Sequence, residues 1–218
     1  SGFVGSVSVG HQHGRGRMTS TEKHTLIIGG GVIGAFCGWY LHKAGRRVTI
    51  VDRHEFGAGC SHGNCGYVSP SHVLPLPSPG QVSIGVKAMF SRNGALKIRP
   101  RFAPALWAWL MKFAMRCNRR DMLSAGRARN ALLESSRGLY EDIIQTEGLN
   151  VEWKTNGLLF VFRDQKEFDH FAKTEKLLRD EFNVPAERID GVRLAEMEPA
   201  LKSGLAGAWH YRNDAHLR

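Results

Sequence analysis

The strongest constraint on the fold is a glycine-rich turn between a short apolar run and a helical pattern. Residues 25–28 are apolar and β-branched, and residues 29–34 then read G-x-G-x-x-G. A second apolar run, residues 48–51, ends at Asp52. Two such runs joined by a helix predict a βαβ unit whose parallel strands are buried on both faces. The predicted apolar face of the helix is Ile33, Phe36, Cys37, Tyr40 and Leu41.

This turn has the composition of a dinucleotide-phosphate site. Gly29 allows the tight turn, Gly31 lets a pyrophosphate approach the backbone, and Gly34 lets helix and strand pack closely. The free N–H groups and the positive dipole end of the helix attract phosphates. Asp52, at the end of the next strand, is placed to accept hydrogen bonds from adenosine ribose hydroxyls. The alternative is a glycine-rich turn that binds nothing.

The segment after Asp52 indicates which of the two common dinucleotides, NAD or FAD, the chain would bind. Residues 57–80 hold 14 Gly, Pro, Ser or Asn in 24 positions, and a loop this long is usually functional or disordered. A nicotinamide-binding domain usually continues with alternating strands and helices. A loop rich in glycine and hydroxyl groups directly after the ribose acid instead favours an extended FAD, and an NAD-dependent dehydrogenase is the weaker alternative.

The chain is predicted to be an α/β protein with four segments. These are a disordered leader (1–23), a Rossmann-like FAD-binding βαβ unit with its cofactor loop (24–80), a helical segment (81–150) and the beginning of an α+β substrate domain (151–218). Apolar spacing predicts helices over 102–117, up to Gly148 and along Phe168–Phe182, and strands at 151–153, 157–162 and 204–211.

A family resemblance begins in the cofactor loop. Residues 59–66, followed by Gly-Tyr-Val-Ser-Pro-Ser-His-Val-Leu-Pro-Leu over 66–76, resemble the D-amino acid dehydrogenases of the FAD-dependent D-amino acid oxidase-like family. Residues 98–101, 106–113, 198–201 and 214–217 are also similar, so the resemblance covers about residues 24–218. It implies that the C–N bond of a D-amino acid is oxidised by hydride transfer from Cα to flavin N5. Water hydrolyses the imino acid to a 2-oxo acid and ammonia, and the electrons pass to a respiratory-chain acceptor.

The resemblance also implies a set of site residues, although this chain departs from the family pattern at His62 and Cys65. No catalytic side chain is named, since the flavin is the electron sink and the protein supplies position and electrostatics. Tyr67 and His72 are expected to border the substrate pocket, and the alternative for His72 and the Pro70–Pro79 segment is a rigid loop without a binding role. The expected contacts of noncovalent FAD are Gly29, Gly31, Val32, Ile33, Gly34, Asp52, Arg53, Ser61, Asn64, Cys65 and Gly66.

Several alternatives remain open from the sequence. One is an oxygen-using oxidase of glycine, sarcosine or hydroxyproline, and another is a truncated, non-catalytic nucleotide-binding module. A covalent flavin link through His62 is disfavoured because the family loop aligns one residue out of step with this one. Zinc at Cys60, His62 and Cys65 is not expected, because a structural site needs four ligands.

Charge is concentrated in one block of the chain. Residues 91–130 carry ten Lys and Arg against a single acid, Asp121, together with Trp107 and Trp109. This pattern is typical either of contact with an anionic membrane surface or of a core-packing helix with a solvated basic face. No nucleic-acid module accompanies it. The four cysteines lie at irregular spacings without a CxxC pair, which favours reduced thiols in the cytoplasm. Peripheral contact at the inner membrane is one alternative, and the chain is expected to form a homo-oligomer or to pair with a second chain.

Overall fold

A computed structural model describes residues 6–8, 23–90 and 103–217 of the 218-residue chain. The expected resemblance at 98–101 and the first part of the 91–130 block lie outside these residues. The chain divides into two compact units, one ending at Cys65 and one beginning at Gly66. Both units are mixed α/β structures, which confirms the predicted fold class.

The first unit is a three-stranded sheet with one helix. Its elements are β1 (Ser6–Ser8), β2 (His24–Ile28), α1 (Val32–Lys43) and β3 (Arg47–Val51), and the strand order is β1-β3-β2. β2 and β3 run parallel, with Thr25 opposite Val48 and Ile27 opposite Ile50, so the predicted βαβ unit is confirmed.

β1 departs from the expected leader. Ser6–Ser8 pair antiparallel with β3, so the expectation of a leader without a folded element is wrong for these three residues. An open strand edge offers unpaired N–H and C=O groups that any extended segment can join. Apart from Lys23, the rest of the 1–23 leader lies outside the described ranges.

The prediction that these strands are buried on both faces is wrong. Leu26 is 59% exposed and Ile28 is 85% exposed, whereas Ile27 and Ile50 face α1. Side chains alternate between the two faces of a strand, and α1 covers only one face of this sheet.

The predicted helix face is also displaced. Ile33 and Cys37 are exposed, and the buried residues of α1 are Gly34 and Gly38. A Cβ on Gly38 would lie 2.8 Å from Ile50 Cδ1. The helix therefore approaches the sheet through bare backbone, a contact that an apolar periodicity does not reveal.

The second unit contains a longer helical layer and two small sheets. Its strands form an antiparallel sheet in the order β5-β7-β6 and a two-stranded pair, β4 with β8. The elements are β4 (Tyr67–Val68), α2 (Gln81–Phe90), α3 (Pro104–Arg116), α4 (Arg119–Thr146), β5 (Leu158–Phe162), α5 (Gln165–Phe182), β6 (Glu187–Asp190), α6 (Gly191–Met197), β7 (Gly207–Tyr211) and β8 (Ala215–His216).

The core of this unit lies where α5 packs on the central strand β7. All five residues of β7 are buried, and the largest core cluster is Val73, Phe168, Leu178, Phe182, Val184, Trp209 and Tyr211. Asp164 caps α5 by accepting from the N–H groups of Lys166 and Glu167, and Asn183 ends it with φ at +56°. The predicted helix over 168–182 is confirmed.

Two predictions about this unit are corrected. Residues 151–153 form no strand, and only the neighbouring Lys154 makes a bridge, to His216. Residues 66–80, which the sequence groups with the nucleotide-binding unit, lie in the second unit. They are held there because β4 pairs with β8 and the N–H of Leu217 donates to the carbonyl of Gly66 at 3.0 Å.

Candidate cofactor site

The glycine turn in the first unit holds the start of α1 directly against the end of β2. Gly29 has φ at +109°, a left-handed value that favours glycine, and its N–H donates to the Val51 carbonyl at 2.8 Å. A Cβ on Gly34 would lie 1.9 Å from the Gly29 carbonyl oxygen. Only glycine at position 34 allows this helix start, which is the role that the sequence pattern predicts.

Asp52 lies beside this turn at the end of β3. Its carboxylate accepts from the Gly30 N–H at 2.7 Å and from the His54 N–H at 2.9 Å. The Gly30 bond and then the His54 bond lower the pKa of Asp52 below its usual 3.8, so the group is ionised at neutral pH. Each carboxylate oxygen has two lone pairs, so the side chain can still accept from two ribose hydroxyls.

The first turn of α1 presents backbone donors beside Ser61. The Val32 N–H donates to Ser61 Oγ at 2.9 Å, and the Ala35 N–H donates to the Gly31 carbonyl at 3.0 Å. Within the described ranges, no hydrogen-bond partner is found for the N–H groups of Ile33 and Gly34. Two donors at the positive end of a helix dipole are therefore available to a phosphate.

Phe56 is a site residue that sequence reasoning missed. A Cβ on Gly30 would lie 2.0 Å from its Cδ1 atom, so the ring lies directly on the turn. The Gly57 N–H also donates to the Gly30 carbonyl at 3.0 Å. The G-x-G-x-x-G pattern needs glycine at positions 29 and 31 but not at position 30. The additional glycine at position 30 was the available sequence signal that this residue meets a close neighbour.

The remaining predicted contacts of the first unit lie on the surface. Arg53, Asn64 and Cys65 are exposed, and Cys60 is exposed as well. A search of the described part of the chain finds no group of three His, Cys, Asp or Glu side chains spaced to hold a metal.

Three predicted site residues belong to the second unit. Gly66 has φ at +68°, and a Cβ there would lie 2.0 Å from the Leu217 carbonyl oxygen, so this position requires glycine. Tyr67 is 57% exposed. His72 is exposed, with its ring centroid 5.5 Å from that of Phe160.

The donor set of the first unit fits the ADP half of a dinucleotide. Gly31 keeps the approach to the turn open, since a Cβ there would already meet Ser61 Oγ at 3.1 Å. The ionised Asp52 carboxylate bonds to the middle glycine of the turn, and the N–H groups of Ile33 and Gly34 follow the turn directly along the chain. The opening therefore suits a diphosphate joined to a ribose.

Comparison with known proteins gives a match over almost the whole chain. Residues 24–218 match the family model DAO, described as FAD dependent oxidoreductase. The chain is 32% identical to a D-amino acid dehydrogenase of Phenylobacterium zucineum, over 87% of this chain and 45% of that protein. It is 32% identical to a D-amino acid dehydrogenase of Methylobacterium radiotolerans, over 89% of this chain and 48% of that protein. The chain thus spans less than half the length of these relatives.

Solved structures give the same fold. Glycine oxidase from Geobacillus kaustophilus matches with a TM-score of 0.53 and 21% identity, over 88% of this chain and 40% of that one. Iminodiacetate oxidase from Chelativorans sp. BNC1 matches with a TM-score of 0.51 and 16% identity, over 89% of this chain and 40% of that one. At these identities the likeness extends to the fold alone.

Proposed function

The chain belongs to the DAO family of FAD-dependent oxidoreductases, and from that membership we propose that the whole protein oxidises the C–N bond of D-amino acids. The 32% identity to two D-amino acid dehydrogenases supports this substrate class. The product would be an imino acid, which water hydrolyses to a 2-oxo acid and ammonia. FAD, the cofactor of the family, supplies the two-electron acceptor. In a dehydrogenase these electrons pass on to a respiratory-chain acceptor.

The observation that carries the proposal is the contact between the glycine turn and Asp52. Ile33 and Gly34 would donate their N–H groups to the pyrophosphate, and Gly29 and Gly31 keep side chains out of its way. The Asp52 carboxylate would accept from the adenosine ribose while the Gly30 N–H fixes its orientation.

The assignments beyond this turn remain proposals. We place Val32, Arg53, Ser61, Asn64, Cys65 and Gly66 along noncovalently bound FAD, and Tyr67 and His72 beside the substrate. Ser61 would contribute indirectly as well, since its hydroxyl already holds the Val32 N–H and so fixes the helix start.

The first experiment measures flavin binding by the purified chain. The absorption spectrum is recorded before and after addition of FAD and desalting, and affinity is then titrated. We expect Asp52→Ala to weaken FAD binding about ten- to hundredfold, because a charge-assisted pair of hydrogen bonds is lost. Glu55→Ala, at an exposed carboxylate three residues away, is the matched control and should change little. Unchanged affinity in Asp52→Ala would exclude Asp52 from the site.

The second experiment tests the reaction. D-amino acids should bleach the flavin bands under anaerobic conditions, and an artificial electron acceptor should restore them. Hydrogen peroxide formed in step with substrate loss would instead support an oxygen-using amine oxidase. FAD that is retained but not bleached by any amino acid would support a non-catalytic nucleotide-binding module.

We also propose that α3, within the basic 91–130 block, contacts an anionic membrane surface. None of its residues is buried, and Trp109, Met111 and Met115 are each more than half exposed. Lys112 and Arg116 lie on the same exposed side of the helix, between Met111 and Met115 on one flank and Trp109 on the other. No helix in the described part of the chain is long and apolar enough to cross a bilayer.

Vesicle sedimentation tests this contact. The chain should bind vesicles of phosphatidylglycerol but not of phosphatidylcholine, and Met111→Glu should reduce binding more than Leu132→Glu at an exposed position of α4. Equal binding by both variants would contradict a role for α3.

Light scattering in the same buffers tests the predicted homo-oligomer. The same measurement with a candidate partner added tests whether the chain pairs with a second chain.

A further inference from the structure

A buried polar joint, formed by Ser71 and Asp214, connects two parts of the second unit that lie far apart in the sequence. Asp214, 1% exposed, accepts from the Ser71 N–H at 3.0 Å and from Ser71 Oγ at 2.5 Å. Ser71 is itself buried, in the turn that leads to His72, and Asp214 lies between β7 and β8. These two hydrogen bonds therefore connect the turn that leads to His72, a predicted substrate residue, to the segment between β7 and β8.

The Tyr211 hydroxyl lies at the same joint and lacks a partner. The side chain is 2% exposed, and its oxygen has no hydrogen-bond partner among the described protein atoms. Burial and the nearby carboxylates of Glu175 and Asp214 raise its pKa, so the hydroxyl keeps its proton and remains a donor. A buried donor without an acceptor loses its hydrogen bond to water and gains none in return, so such groups are rare.

Tyr211 also lines a cavity of about 10 Å³. Its polar lining comes from Ser71, Glu134, Tyr211, Asn213 and Asp214, and three apolar side chains complete it. Glu134 and Asn213 are exposed, which gives water a route of entry. One water molecule needs about 10–15 Å³ and two to four polar partners, and this cavity provides both.

We propose that the cavity binds one structural water molecule, which accepts the Tyr211 hydrogen bond and donates to the Asp214 carboxylate. Glu134 and Asp214 both line the cavity, and their carboxylates favour a ligand that presents protons to them and still accepts from the hydroxyl. The water completes the joint that holds the Pro70–His72 turn. This inference rests on the second unit alone and is independent of FAD binding and of the substrate.

Tyr211→Phe tests the proposal through the sign of its effect. If water pairs with the hydroxyl, the substitution removes a satisfied hydrogen bond, and the folding equilibrium constant should fall about three- to tenfold. If the hydroxyl has no partner, the substitution relieves its desolvation and the constant should stay the same or rise, which would overturn the proposal. Tyr67→Phe, at an exposed tyrosine of the same unit, is the matched control and should leave the folding equilibrium constant unchanged.

A direct measurement keeps the proposal testable if Tyr211→Phe does not fold. In a high-resolution crystal structure of the unaltered chain, a solvent peak within hydrogen-bond distance of both Tyr211 Oη and the Asp214 carboxylate is expected. A cavity without such a peak, in density that resolves other buried waters, would overturn it.

Discussion

The two units of this chain are stabilised in different ways. The second unit buries large side chains, and the entire strand β7, between α5 and its sheet. The first unit buries two glycines of α1, and leaves Leu26 and Ile28 exposed on the opposite face of its sheet. Side-chain burial stabilises the second unit, whereas close backbone contact arranges the first.

The difference shows that burial and binding place opposite demands on a sequence. Large apolar side chains contribute about 1.5–3 kcal/mol each when buried, so they favour a well-filled core. A phosphate site needs bare N–H groups and an open approach, which only residues without bulky side chains leave free. The first unit thus provides a ligand surface with little core of its own.

The largest expected effect is in the core of the second unit. Leu178→Ala should lower the free energy of unfolding by about 2–5 kcal/mol, because Leu178 is 4% exposed and a cavity would remain. Leu132→Ala, on an exposed helix position, should change it by less than about 0.5 kcal/mol. Denaturant unfolding checks both values. Hydrogen exchange should locate the loss in the second unit, and equal loss in both units would contradict the assignment of Leu178 to the core of the second unit.

Gly34→Ala should have the next largest effect, and in the first unit. The added Cβ would meet the Gly29 carbonyl oxygen, so the helix start must shift, at a cost of about 1–3 kcal/mol. FAD titration and hydrogen exchange of residues 24–51 measure the result. Gly59→Ala is the control, since nothing lies within 4 Å of a Cβ there. Unchanged FAD affinity in Gly34→Ala would show that the turn does not determine binding.

Acid should destabilise the first unit through Asp52. Its folded-state pKa lies below the unfolded value, so its contribution is complete above about pH 4 and is lost as the pH falls through the folded pKa. Asp52→Asn should remove this dependence, and Glu55→Gln should keep it. Hydrogen exchange of residues 24–51 between pH 2 and 6, corrected for intrinsic rates, checks the slope. If Asp52→Asn shows the same pH dependence of hydrogen exchange, a residue other than Asp52 is the titrating group.

Asp214 should give a smaller effect of opposite sign in the second unit. Burial raises its pKa above 3.8, although the two Ser71 bonds partly offset this. Its contribution is therefore most favourable below pH 3.8 and declines as the pH rises through the folded pKa. Asp214→Asn keeps an acceptor for the Ser71 N–H and should flatten this decline, whereas Asp214→Ala should destabilise at every pH. Denaturant unfolding from pH 3 to 7 compares them, and an unchanged profile in Asp214→Asn would contradict the assignment.

The sequence predicts a local feature well where the backbone conformation or the contact at that position requires one particular residue type. The turn at Gly29, the helix start at Gly34 and the acid at the end of β3 follow from spacing alone, because each depends on neighbours close along the chain. The helix along Phe168–Phe182 follows equally from its apolar period, and the structure adds the cap at Asp164. Residues 151–153 mislead, because the alternation of Val151, Glu152 and Trp153 resembles a strand but does not provide a partner strand.

The features that the sequence missed all join residues far apart in the chain. Phe56 lies on Gly30, Gly38 meets Ile50, and Ser71 binds Asp214 across 143 positions. Apart from the additional glycine at position 30, no period or motif signals these contacts, since each depends on how separate elements pack.

The amino-acid sequence by itself determined the βαβ unit, the conformation of its glycine turn and the family resemblance, because backbone conformation and spacing are local properties. Only the tertiary structure decided which faces are buried, which carboxylate has its pKa lowered and which has it raised. Burial and hydrogen bonding depend on neighbours that folding brings together.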